Sequence, residues 1–133
     1  MSVAFASRAI IHDDERRLLL GKQTTGLSAG KWSFIGGRDG VSELVRLAAA
    51  RHVREQTNLE FVDARLFRKL DYDEDQDPLG RIWNIAYLVG TAVGDLVLNE
   101  EVSEVGYFER GEIVQLPLAF GHDEIVAEYF DQS

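Results

Sequence analysis

Residues 36–59, GGRDGVSELVRLAAARHVREQTNL, begin like a glycine turn that could cradle phosphate and then become a run of helical periodicity. Val41, Leu44, Val45, Ala48, Ala49 and Val53 recur at the spacing of one helix face, which predicts an amphipathic helix from Val41 to about Thr57. Asn58 is a suitable stop, because asparagine tolerates the left-handed conformation that ends many helices. Either side of this helix the period changes to that of strands. VAFASRAII and RRLLLGKQ flank the polar turn HDDE, and KWSFI reads as a third short strand that stops at Gly36 and Gly37. LEFVDARLFRKLDYDE and RIWNIAYLVGTAV flank an acidic loop, EVGYF reads as a further strand, and HDEIVAEYFDQ as a closing helix. Strands before and after a central helix, with a second helix at the end, predict an α/β fold with a mixed sheet covered on both faces.

The length of 133 residues with 45% apolar content is enough for one real core and too short for two ordinary domains, so residues 1–133 are expected to form one unit. A net charge of −9 opposes long-range attraction to nucleic acid or anionic membranes, so an anionic ligand requires a local positive site. The absence of cysteine excludes disulfides, thiolate metal sites and cysteine nucleophiles. No segment approaches eighteen apolar residues and the first residues lack a basic leader, which makes the cytoplasm the expected location.

Three local patterns point elsewhere and fail on context. GLSAG matches the G-x-S-x-G elbow, with Ser28 as nucleophile and His122 as base, but a strand rather than a helix is expected after it. GLSAGKW has three residues between its glycines and Trp32 where a phosphate loop needs Ser or Thr. The series Asp71, Asp73, Asp75, Asp77 has Gln76 and Ile82 where a calcium loop requires Gly and Glu, so a solvated hairpin loop is expected.

The spacing Gly37, Glu43, Arg51, Val53, Glu55, Leu59 resembles the Nudix box, G-x5-E-x7-R-E-U-x-E-E-x-G-U with U aliphatic, at six of nine specified positions. His52 and Gln56 stand where that family has Glu, and Asn58 where it has Gly. The resemblance extends through GKWSFIGG, where Ile35 replaces the usual Pro, and DPLGRIWNIAYLV, which is similar to the ADP-ribose pyrophosphatase branch. It continues through EVSEVGYFERGEI and LPLAFGHDEIV. It implies an α/β/α sandwich with a mixed sheet and hydrolysis of the diphosphate linkage in a nucleoside diphosphate derivative, with Mg²⁺ or Mn²⁺ as cofactor. A homodimer is also implied.

At 100° per residue, positions 52, 55 and 56 fall within roughly a 100° arc near the apolar stripe and are expected to face the sheet and the glycine turn. Three carboxylates there would hold divalent cations that bridge diphosphate oxygens. In this chain only Glu55 remains, a fall in charge from −3 to −1. The resemblance implies that the Gly36 carbonyl, Glu55, Gln56 through its carbonyl oxygen, and Glu101 or Glu104 form the metal set, with Glu43 and Arg51 as a supporting ion pair. His52 is either a softer metal ligand or a hydrogen-bonded histidine on a buried face.

For the ligand, Trp32, Trp83, Tyr87 and Phe108 are either base-stacking or core residues. Arg81 either contacts phosphate or is solvated. His122 matches a histidine of the ADP-ribose-like group and either touches substrate or packs at the helix start. The expectation is a weakened, Mn²⁺-favouring hydrolase of the ADP-ribose or nucleotide-sugar class, with a catalytically silent binding module as the alternative.

Overall fold

Alternate residues of the first strand are buried on opposite faces of a sheet, and this two-residue period organises the molecule. In the computed structural model, which describes residues 3–73 and 79–132, β1 (Val3–Ile11) places Ala9 and Ile11 in one core cluster and Ile10 in another. The same alternation divides Leu19 from Leu18 and Leu20 in β2 (Leu18–Gln23). It also divides Ala86 and Leu88 from Tyr87 and Val89 in β6 (Ile82–Val93). Helix α1 (Val45–Thr57) covers the first cluster with Ala49 and Val53. A four-residue helix α2 (Arg110–Ile113) and the closing helix α3 (His122–Asp131) cover the second with Ile113, Ile125 and Val126.

Two sheets build this frame. β4 (Ile35–Arg38), β1, β6 and β5 (Glu60–Asp73) lie in that order, with β1 and β6 parallel and the other pairs antiparallel. The short β3 (Trp32–Ser33), β2 and β7 (Val102–Phe108) form the second sheet. The mixed α/β architecture expected from the sequence is therefore present. β5 and β6 pair antiparallel, with Asp71 accepting a 2.9 Å hydrogen bond from Asn84 Nδ2. Asp75 and Asp77 of the acidic series, with Gln76 and the expected hairpin loop, lie outside the described residues. Among the described residues no helix is long and apolar enough to cross a membrane.

Two boundaries differ from the sequence reading. The glycine pair does not end a strand: KWSFI breaks at Phe34, and Gly36 and Gly37 lie inside β4, opposite Arg8 and Ser7 of β1. A Cβ at Gly36 would collide with the Ser7 carbonyl oxygen and lie 2.6 Å from Arg8 Cδ, so the strand approaches this closely only because the side chain is missing. The helix also begins at Val45 rather than Val41, which is 89% exposed. The Glu43 carboxylate accepts the Gly40 N–H at 3.1 Å, and the Glu43 N–H donates back to the Gly40 carbonyl, so residues 40–43 form a closed turn that the helix cannot absorb.

The helix ends as expected. Asn58 has φ 66°, its N–H reaches the Arg54 carbonyl at 2.9 Å, and its Nδ2 donates to the Asp95 carbonyl at 2.9 Å. Asn58→Ala should cost about 1–3 kcal/mol in chemical denaturation, because alanine resists this conformation and lacks the tether. Asn58→Gly should stay within about 1 kcal/mol of wild type, relaxed backbone offsetting the lost hydrogen bond.

Candidate functional site

Because β4 pairs with β1 at the edge of its sheet and α1 packs across that sheet, the helical turn after Arg51 looks directly onto the glycine strand. Arg51 grips Glu43 with both ends of its fork: Nε donates to Oε2 at 2.8 Å and Nη2 to Oε1 at 2.9 Å. Its third arm, Nη1, reaches Glu55 Oε1 at 3.1 Å. The paired role expected for Glu43 and Arg51 is thus built, and it extends to Glu55. The guanidinium, followed by the Gly40 N–H, holds the Glu43 carboxyl down at about 2, from 4.5.

His52 and Gln56 point inward, and Glu55 does not. His52 and Gln56 are buried, whereas the Glu55 side chain is 49% exposed and lies at the rim of the helix beside Arg51. The expectation that all three positions face the sheet is corrected here, since Glu55 sits on the side of that arc which the Arg51 fork draws towards solvent. His52 uses Nε2 to donate to Asp39 Oδ1 at 2.8 Å, and the Ser7 hydroxyl donates to the same oxygen at 2.9 Å. The ring packs over Gly37, where a Cβ would lie 3.2 Å from Cε1. His52 is therefore the hydrogen-bonded histidine of the two readings. Its partner Asp39 was not singled out from the sequence, although GGRDG places it two residues after the glycine pair.

Gln56 Nε2 donates to the Gly36 carbonyl at 2.9 Å and lies 3.5 Å from Glu101 Oε2. Glu101 is exposed and also receives Asn99 Nδ2 at 3.3 Å on Oε1. Glu104 is exposed, with its Cα opposite Lys22 in the β2–β7 ladder. The structure thus gathers Gly36, Gln56 and Glu101, leaves Glu55 with Arg51, and holds Glu104 on the strand edge.

This donor set does not fit a hard divalent cation. Such an ion needs several convergent oxygens, most of them anionic. Here the Gly36 carbonyl faces an amide N–H, His52 is committed to Asp39, and Glu55 and Glu43 are committed to Arg51. Among the described residues no three His, Asp or Glu side chains converge as ligands.

A second concavity opens at the other face of β1. A cleft of about 220 Å³ is lined by Ala6, Arg8, Gly37, Arg38, Trp83, Ile85, Phe120 and His122. Two of the expected ligand-binding residues, Trp83 and His122, meet here. Arg81 stacks its guanidinium on Trp83, 5.2 Å from the ring centre. Arg8, Arg38 and Phe120 were not expected from the sequence; each becomes visible only when β1, β4 and the segment before α3 come together. Arg8 Nη1 donates to the Phe34 carbonyl at 3.1 Å, and its guanidinium lies 4.6 Å from the Phe120 ring centre. Phe120 is held at φ 58°, a conformation costly for an aromatic residue, and Gly121 follows at φ 69°. Tyr87 and Phe34 are buried core, in edge contact at 6.4 Å. Trp32 and Phe108 meet edge to face at 5.1 Å, outside the cleft. The Ser28 elbow is also absent: Gly26–Ser28 form a single 3₁₀ turn that leads into β3.

His122 is fully buried. Its Nδ1 accepts the Phe34 N–H at 3.3 Å, which leaves the proton on Nε2, and Nε2 has no hydrogen-bond partner among the described residues. Burial, and then the charge of Arg8, push its pKa well below the ordinary value, so the ring is neutral.

The Glu43 pair gives a pH signature. A carboxyl lowered on folding contributes stability that is complete above its unfolded value and is lost as pH falls through the folded one. Glu43→Gln should therefore lower the thermal midpoint at pH 7, and the difference from wild type should shrink between pH 4.5 and about 2. Thermal melts across that range check the sign, and added salt should weaken the effect at this part-exposed pair.

A family model for the NUDIX domain matches residues 4–129. An ADP-ribose pyrophosphatase of Methanocaldococcus jannaschii is 26% identical over 126 residues, covering 95% of this chain and 72% of that protein. A NUDIX hydrolase from Nitrosomonas europaea superposes with TM-score 0.85 at 18% identity, covering 98% of this chain and 90% of its own. The NUDIX domain of Shewanella oneidensis NrtR, complexed with ADP ribose, superposes with TM-score 0.76 at 16% identity, covering 99% and 88%. With the glycine strand, the Glu43–Arg51 clamp and nearly the whole length of the chain matching, this protein belongs to the Nudix hydrolase family.

Proposed function

We propose that the chain acts on a nucleoside diphosphate derivative of the ADP-ribose or nucleotide-sugar class. In this reading the diphosphate lies beside Arg8 and Arg38, and a base or sugar lies against Trp83 and Phe120. The observation that carries it is the make-up of the cleft: two guanidinium-bearing residues, Arg8 and Arg38, and two aromatic residues, Trp83 and Phe120, line one concavity. Behind that lining His122 is neutral and fully buried, and its Nδ1 accepts the Phe34 N–H, so it supports the wall of the cleft. Arg8 and Arg38 supply the local positive charge that an anionic ligand needs on a protein of net charge −9. The M. jannaschii relative, described as an ADP-ribose pyrophosphatase, and the NrtR domain complexed with ADP ribose support the same ligand class.

Cleavage of the diphosphate linkage is the reaction expected of the family. A second reading, in which the ligand is held uncleaved by a binding or regulatory module, is favoured by one observation: the Gln56 amide sits on the Gly36 carbonyl and Glu55 is drawn away to Arg51. One set of measurements separates these outcomes.

Calorimetry with ADP-ribose should give saturable binding, and Arg8→Ala should weaken it about 10–100-fold, the worth of a charge-assisted contact. Trp83→Ala, which removes an aromatic face of the cleft, should weaken it about tenfold. Equal affinities for wild type and both variants would put the ligand elsewhere. ³¹P spectra of the same mixtures report turnover; equal rates in wild type and Glu55→Gln would remove Glu55 from any mechanism.

A further inference from the structure

At position 56 this chain carries an amide where the Nudix pattern has a carboxylate, and the amide is used. Gln56 is 3% exposed. Its two neighbours, the Gly36 carbonyl at 2.9 Å and Glu101 Oε2 at 3.5 Å, are both acceptors, so chemistry fixes which end of the amide faces them. The NH₂ group lies against both oxygens and presents them with partial positive charge. A divalent ion at that point would meet two N–H hydrogens. Turning the amide to offer its oxygen would give a neutral ligand beside a single carboxylate, with the Arg51 guanidinium already drawn to Glu55 on the same helix. The His52–Asp39–Ser7 network closes the next turn of the helix in the same way, with hydrogen bonds in place of ligands.

We propose that the Gln56 amide takes the place of the divalent cation. It ties α1 to β4 and to the residue that leads into β7, and the protein therefore binds its ligand through Arg8 and Arg38 without metal. The binding half rests on the ligand class proposed above, and the amide half does not.

The test uses Mn²⁺ alone, titrated into the full chain and followed by the paramagnetic resonance of the unbound ion. Wild type should leave the ion unbound up to about 1 mM, and the double variant His52→Glu, Gln56→Glu, which returns two carboxylates beside Glu55 and Glu101, should bind it at least about tenfold more tightly. One equivalent of Mn²⁺ bound to wild type below about 1 mM, and lost in Glu101→Gln, overturns the proposal. If the double variant fails to fold, the wild-type titration still decides. In parallel, ADP-ribose should bind wild type in EDTA within about twofold of its affinity in Mn²⁺, whereas a tenfold or greater gain with the metal overturns the binding half. ADP-ribose that binds in neither buffer sinks the ligand class and with it the binding half, and the Mn²⁺ titration then judges the amide half alone.

Discussion

The approach of β4 to its two neighbours governs the site. At Gly36 the backbone of β1 comes so near that a methyl group would collide with it, and at Gly37 the His52 ring fills the space a side chain would take. Side chains there would push β4 away from β1, from α1, or from both. The reach of Gln56 to the Gly36 carbonyl and of His52 to Asp39 depends on that spacing. The Glu43–Arg51 clamp acts on the same segment from outside: it closes the turn between β4 and α1 and fixes where the helix begins.

A metal cradle and a hydrogen-bonded cradle impose different demands on this frame. Clustered carboxylates repel one another until a cation arrives, so such a helix face carries electrostatic strain in the absence of metal. Histidine and glutamine at the same positions remove that repulsion, and each hydrogen-bonds its own neighbours directly. His52 is paired with Asp39, which also accepts from Ser7, and Gln56 with Gly36 and Glu101, which is what makes burial tolerable.

Much of the frame was legible in the sequence because it rests on period and spacing. The alternation in VAFASRAII and RIWNIAYLV, the helical stripe after Leu44 and the left-handed Asn58 are local signals, and the structure shows each of them. The resemblance to the Nudix box carried by Gly37, Glu43 and Arg51 likewise implied an ion pair that the structure builds. What local pattern does not carry is direction at a helix edge and meetings across the chain. Glu55 lies inside the expected arc yet turns to solvent because Arg51, one turn earlier, competes for it. Asp39 is one more acidic residue in an acidic chain until the fold sets it under His52. Arg8 and Phe120 are 112 positions apart, and nothing in either segment signals that they stack.

The parallel pairing of β1 with β6 puts β1 inside its sheet, flanked by β4 and β6, so neither of its faces is idle. Ser7 serves the helix side through Asp39, and Arg8, the next residue, serves the cleft. A single peptide unit therefore separates the interior lock from the outer basin. Any twist or slide of that unit is felt on both sides at once, which makes the strand a shared axle for the two compartments.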